Sequence, residues 1–293
     1  MRLPHLALVA GALTLTFGIS TVSAMQAPQD AVAATPYSYA DIADLATAAP
    51  MVLHARVHRA TPLKAERAPG VAPAHTRLYV EADVVSLIRG AGPLAARISY
   101  LVDLPDDTRG KAAKLKRKQP VLLFARPVAS AAAGTNSTGS VQLIAPDAQL
   151  PWDAATEAQL RGILTELVKP GAPPAITGIA NGFHVPGTLP GEGETQLFLN
   201  TATGEPVSLT VLTARDGSRR WAAAFGEIVD GSAAVPARDT LAWYRLACGL
   251  PRQLPLSKPA GTAPADRRKA AADYAVILGA LGECTRTRKP PAE

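Results

Sequence analysis

The chain has 293 residues, 47% hydrophobic and 18% charged, with a formal net charge of +6. That much apolar material excludes a disordered polyelectrolyte and is enough for two modest domains or one large one. Aromatic residues make up only 5%, which argues against carbohydrate or single-strand nucleic-acid sites built on stacked rings, while the positive balance favours acidic partners.

Met1 to Ala24 reads as an export signal: Arg2 gives a basic start, Leu6 to Ile19 is apolar and uncharged, and Val22-Ser23-Ala24 offers small residues for cleavage. A retained anchor is the alternative, but the apolar run falls short of the roughly 20 residues a spanning helix needs. No later stretch suits a membrane span, so the mature chain is expected to lack a transmembrane segment and to be periplasmic or secreted. The expected organisation is a signal over residues 1–24, a linker over 25–37, an OB-like β-barrel domain over 38–150 and a β-meander-plus-helices domain over 151–293.

Ser38 with Asp41 forms a capping-box-like start to a helix whose apolar face carries Ile42, Leu45, Ala46 and Ala49, and Pro50 ends it. Met51 to Arg59 alternates as a half-buried strand, with Val52, His54, Arg56 and His58 on the polar side. Further strands are predicted over Thr76–Ile88, Ala96–Val102, Pro120–Ala125 and Val141–Ile144. A basic loop containing Arg109, Lys111, Lys114, Lys116, Arg117 and Lys118 leads into the strand at Val121, and Ala129 to Ser140 reads as a flexible connection.

The succession "AAPMVLHARV", "LYVEADVVSLIRG", "RISYLVDLP" and "KRKQPVLLFAR" resembles exported OB-type barrels related to netrin modules and tissue inhibitors of metalloproteinases, over residues 39–146. The resemblance implies a small barrel. The inhibitors act through an N-terminal cysteine, and this region has none, so their chemistry cannot be carried onto any residue here. The whole chain also resembles uncharacterised exported proteins of Gram-negative bacteria, which implies an address and no activity.

In the second half Trp152 precedes the cap Asp153 of a helix with an apolar stripe of Leu160, Ile163, Leu164, Leu167 and Val168. Strands are predicted over Ile176–Val185, Thr195–Thr201, Val207–Thr213 and Arg220–Val229, with Asp216-Gly217 as a hairpin turn. One closing helix runs from Asp239 to Gly249, and a second carries Tyr274, Ile277, Leu278 and Leu281. The only cysteines, Cys248 and Cys284, are expected to form a disulfide in an oxidising compartment, since they lack the spacing of redox or metal pairs. The architecture predicted is α+β and β-rich, an OB-like barrel followed by an antiparallel meander with C-terminal helices.

His54 and His58 lie too far apart along a strand to share an ion, and they are expected to face solvent. Asn181 to Thr195 gathers His184, Glu192, Glu194 and Asn181 among glycines in a long connection, where acid/base chemistry could sit. Asp103, Asp106 and Asp107 read as turn and cap residues, and Glu227 as a weak acid/base candidate. No nucleophile elbow, zinc-protease motif or phosphate cradle is present in the sequence. No cofactor or metal is called for. The expected function is non-enzymatic binding or assembly in the cell envelope, with Arg109 to Lys118 and Asn181 as binding candidates. Its partner would be an envelope protein or an anionic lipid or glycan, not nucleic acid. An envelope hydrolase using His184 with Glu192 or Glu194, and a protease-inhibitor-like module, are the rivals.

Overall fold

The structure, a computed structural model, describes residues 37–91, 93–128, 138–226, 233–255 and 263–288. The expected export signal, nearly all of the linker, most of the Ala129–Ser140 connection and Glu227 lie outside those residues. The fold is α+β and strand-rich, with one mixed and one antiparallel sheet.

Helix α1 (Tyr39–Ala48) begins as its sequence dictates: the Ser38 hydroxyl accepts from Asp41 N–H, and the Asp41 carboxylate accepts from Ser38 N–H. Ile42, Leu45 and Ala46 are buried along its inner face. Strands β1 (Met51–Pro62), β2 (His75–Arg89), β3 (Leu94–Pro105), β4 (Pro120–Pro127), β5 (Thr138–Leu143) and β6 (Gln149–Pro151) form a sheet of order β1-β2-β3-β5-β4-β6, and β1 also pairs with β4. All pairings are antiparallel except that of β3 with β5. β1 bonds to strands on both sides, and its first half, from Met51 through Ala55, is buried on both faces in place of the half-buried alternation its sequence suggests, because Trp152 and Glu157 cover the side that carries His54. The uninterrupted apolar run Val121–Ala125 of β4 is likewise wholly buried.

The carboxylate of Asp153 caps α2 (Ala154–Leu167) by accepting from Thr156 N–H at 2.8 Å. Leu160, Ile163 and Leu164 turn inward, whereas Val168, expected in the same stripe, is 73% exposed because the helix has ended before it. The second sheet is a meander of β7 (Ile176–Pro186), β8 (Gly193–Thr201), β9 (Val207–Thr213) and β10 (Arg219–Phe225). Its last turn follows the Asp216-Gly217 signal: Gly217 adopts φ +80°, and the Asp216 carboxylate accepts from Ser218 N–H.

Helix α3 (Leu241–Gly249) starts later than predicted, with Thr240 as its cap, because Asp239 sits at φ +59°, outside helical geometry. Helix α4 (Pro264–Leu281) lies against β7, β8 and β10. Buried side chains from both sheets and all four helices form one hydrophobic cluster.

Cys248 and Cys284 are joined as a disulfide, which leads the chain beyond α4 back to α1. There the Asp41 carboxylate accepts from Ser38 and also from Thr287 N–H, Thr287 Oγ1–H and Arg288 N–H. Arg286 grips Asp44 and Arg288 grips Asp147, each through two donors. Burial by itself would raise the Asp41 pKa, but the hydrogen bonds from Thr287 and Ser38 prevail and hold it below the usual carboxylate value.

Candidate functional site

The polypeptide between β3 and β4 carries six of the chain's 30 lysines and arginines. Its backbone is pinned at both ends. The Asp107 carboxylate accepts from Arg109 N–H at 2.8 Å and Lys111 N–H at 2.9 Å, capping a turn that Gly110 closes at φ +71°. At the far end Lys118 N–H donates to Val57 O at 2.7 Å and Val57 N–H donates to Gln119 O, so the loop rejoins the sheet through β1. Leu115 packs on the core. Arg109, Lys111, Lys114, Lys116, Arg117 and Lys118 are all exposed. Among the described residues none of the six has a carboxylate within ion-pair distance. A cation cluster without internal partners keeps its field for an external anion.

The three aspartates before the loop divide their work. Asp107 caps the turn, and Asp106 accepts from the Thr76 hydroxyl at 2.6 Å. Asp103 is not a turn residue: it is 3% exposed and holds Arg77 through two 2.7 Å hydrogen bonds, because it lies within β3 opposite Arg77 of β2.

His184 is built into the second sheet. It is the cross-strand partner of Thr195, so both side chains leave the same face, the face α4 covers. Thr195 Oγ1 donates to Asp273 Oδ2 at 2.5 Å and lies 2.9 Å from His184 Nδ1; Arg219 donates to the other Asp273 oxygen at 3.0 Å. With its one hydrogen given to Asp273, the hydroxyl accepts from His184, so Nδ1 carries the ring hydrogen. Among the described residues Nε2 is left buried without a hydrogen-bond partner. Gly193 permits this placement, for a Cβ there would sit 2.7 Å from His184 Cε1.

The order of groups matters. In a nucleophilic triad the imidazole takes the hydroxyl proton and a carboxylate orients the imidazole. Here the hydroxyl stands between carboxylate and imidazole and points its proton at the carboxylate, and the His184 and Asp273 side chains are 2% exposed. That arrangement locks α4 onto the sheet and offers no nucleophile.

The register separates the other candidates from this network. Glu194 pairs with Val185 and leaves the opposite face of the sheet from His184. There it accepts from Gln196 Nε2 at 2.6 Å. Glu192 lies in the turn, where its carbonyl accepts from Gly187 N–H. Glu192 and Glu194 line a cavity of about 320 Å³ with Arg220. Asn181 is exposed on β7, its side-chain oxygen accepting from Gly182 N–H. The connection that looked long is short, since 181–186 belong to β7 and 193–195 to β8.

His54, expected to face solvent, is 7% exposed. Its ring stacks on Trp152 at 4.6 Å, and Nδ1 lies 3.6 Å from Glu157, which also accepts from Trp152 Nε1–H and from Arg161. The cause is the tertiary cover given by Trp152 and the first turn of α2, invisible to strand periodicity. Burial, assisted by Arg56 and Arg161 and opposed by Glu157, holds its pKa below the ordinary value. His58 is half-buried beside Asp83 at 3.5 Å, and His75 contacts Pro73 O. Among the described residues no three His, Cys, Asp or Glu side chains are grouped to hold a metal ion. No described helix is long and apolar enough to cross a membrane.

The chain matches no family model and no curated protein sequence.

Proposed function

We propose that the chain is an exported, non-enzymatic protein of the cell envelope that binds an anionic lipid or glycan surface through the loop from Arg109 to Lys118. One observation carries this reading: six exposed cations without carboxylate partners share a single connection whose backbone is fixed by Asp107, Val57 and Gln119. A pinned loop brings its charges to a surface with less ordering cost than a free one. The hydrolase reading has less support, because His184 spends its hydrogen on Thr195 beneath α4 and Glu194 projects from the other face.

The loop's scaffold is proposed to be an OB-like barrel. The pairings run β1 to β2, β3, β5 and β4, and β4 returns to β1, an order consistent with a five-stranded closed barrel. Export rests on the signal-like first 24 residues, and the one disulfide accords with an oxidising compartment.

The test is a pull-down with the mature, oxidised protein from envelope extract, with lipid, glycan and protein fractions analysed separately. Enrichment of an anionic lipid or glycan that salt releases is the expected outcome. A salt-resistant protein partner, with no lipid or glycan enriched, would overturn the proposal.

A further inference from the structure

The parallel pairing of β3 with β5 is broken. Ser99 pairs with Ser140, and the next bond between the two segments is Asp103 N–H to Pro146 O at 2.8 Å, reached after unequal lengths of chain. The β5 side must therefore bow away from β3. A cavity of about 470 Å³ opens at this interruption, within the size range of small-molecule sites.

Its lining combines apolar walls with one available cation. Leu101 and Val128 are 45% and 41% exposed, large apolar side chains that solvent does not favour, and Tyr79 and Ile144 add to the wall. Two guanidinium groups border the cavity. Arg77 is committed to Asp103, which in turn has both carboxylate oxygens occupied. Among the described residues Arg126 gives only its Nε–H, to Gln142 Oε1 at 3.1 Å, and no carboxylate lies within ion-pair distance of it. The outer fork of that guanidinium is free for a planar or tetrahedral oxyanion.

We infer that the cavity between β3 and β5 binds a single-chain anionic amphiphile, its head group on Arg126 and its acyl chain along Leu101, Val128 and Ile144. Charge complementarity selects an anion and the exposed apolar wall selects a chain. The head group is a carboxylate or a phosphate, as both fit a guanidinium. This goes beyond surface binding by the basic loop and does not depend on it, although β3 runs from the cavity directly toward that loop.

Titration calorimetry on the purified chain, with dodecanoate and dodecyl phosphate below their micelle concentrations, tests the inference. Either or both should bind saturably at one site, and their ratio separates a carboxylate from a phosphate ligand. Arg126→Gln should weaken binding at least about tenfold, and Leu101→Asp should abolish it, while Lys169→Gln at the end of α2 leaves it unchanged. Circular dichroism checks folding; if Leu101→Asp fails that check, Ser140→Trp, which fills the cavity from its exposed rim, replaces it. Absence of saturable binding by both probes overturns the inference. So does binding that survives the substitutions, or dodecanol binding as tightly as dodecanoate. Vesicle binding plays no part in this assay, so its result and that of the basic-loop proposal are separately decided.

Discussion

Replacing both cysteines, Cys248→Ala with Cys284→Ala, should cost this protein a large share of its stability. The bridge spans a sequence separation of 36. Loop-closure entropy for a ring of that size corresponds to about 4 kcal/mol at 25 °C. Small domains typically have total stabilities of about 5–15 kcal/mol. At a urea m-value of about 3 kcal/mol/M, the unfolding midpoint should fall by roughly 1.3 M. The loss should be visible locally too, because Cys284 leads into the segment whose Arg286, Thr287 and Arg288 clasp Asp44, Asp41 and Asp147. Limited trypsin digestion should cut after Arg286 in the alanine variant while the oxidised protein is spared. Urea unfolding followed by circular dichroism gives the midpoint. A shift below about 0.3 M would refute the reasoning, because it would put the loss well under the entropy of closing such a ring. It would mean that the ion pairs of the tail hold the ends together in both states, or that the unfolded chain is already constrained.

Other outcomes follow from the two buried histidines and the first residues. Gly193→Ala should destabilise by about 1–3 kcal/mol, since the added methyl would meet His184 Cε1 at 2.7 Å while Thr195 holds the ring in place; an unchanged melting temperature would contradict the close approach. The folded pKa of His54 lies below 6.5, so the unfolded chain takes up that proton first as pH falls. Its contribution to stability is complete above 6.5 and is lost as pH drops from there toward the folded pKa. Thermal scans between about pH 7.5 and about pH 5 should show this component in the natural protein and not in His54→Gln; parallel profiles would count against it. Edman sequencing of protein recovered from the periplasm should begin at Met25, and recovery of an intact Met1 in the membrane fraction would favour an anchor instead.

Local chemistry was the legible part of the sequence. The Ser38–Asp41 box, the Asp153 cap, the Asp216-Gly217 turn and the pairing of Cys248 with Cys284 each depend on few residues, and each appears in the fold. What the sequence concealed are the partners brought by distant elements. Alternation placed His54 correctly on one side of β1 yet could not say that Trp152 and Glu157 cover that side. His184 was visible as a candidate, but its network comes from Thr195 across the hairpin and Asp273 on α4, 78 residues beyond Thr195. Nothing in periodicity links those positions. Period-two logic did hold the signal that separates Glu194 from His184, once β8 was extended back to Gly193. The short β6 has only three residues and too little pattern to be read.

The central claim, an anionic surface bound by the Arg109–Lys118 loop, is tested most directly by cosedimentation with anionic vesicles across a salt series. Each loop cation is worth about 1 kcal/mol near such a surface, so Lys114→Gln with Lys116→Gln and Lys118→Gln should weaken binding by about 100-fold. Raising salt from about 0.1 M to about 1 M, which shortens the screening length from about 10 Å to about 3 Å, should release the natural protein as well. Binding that neither the three substitutions nor salt diminishes, or no binding at low salt either to the vesicles or to an immobilised anionic glycan, would contradict the account.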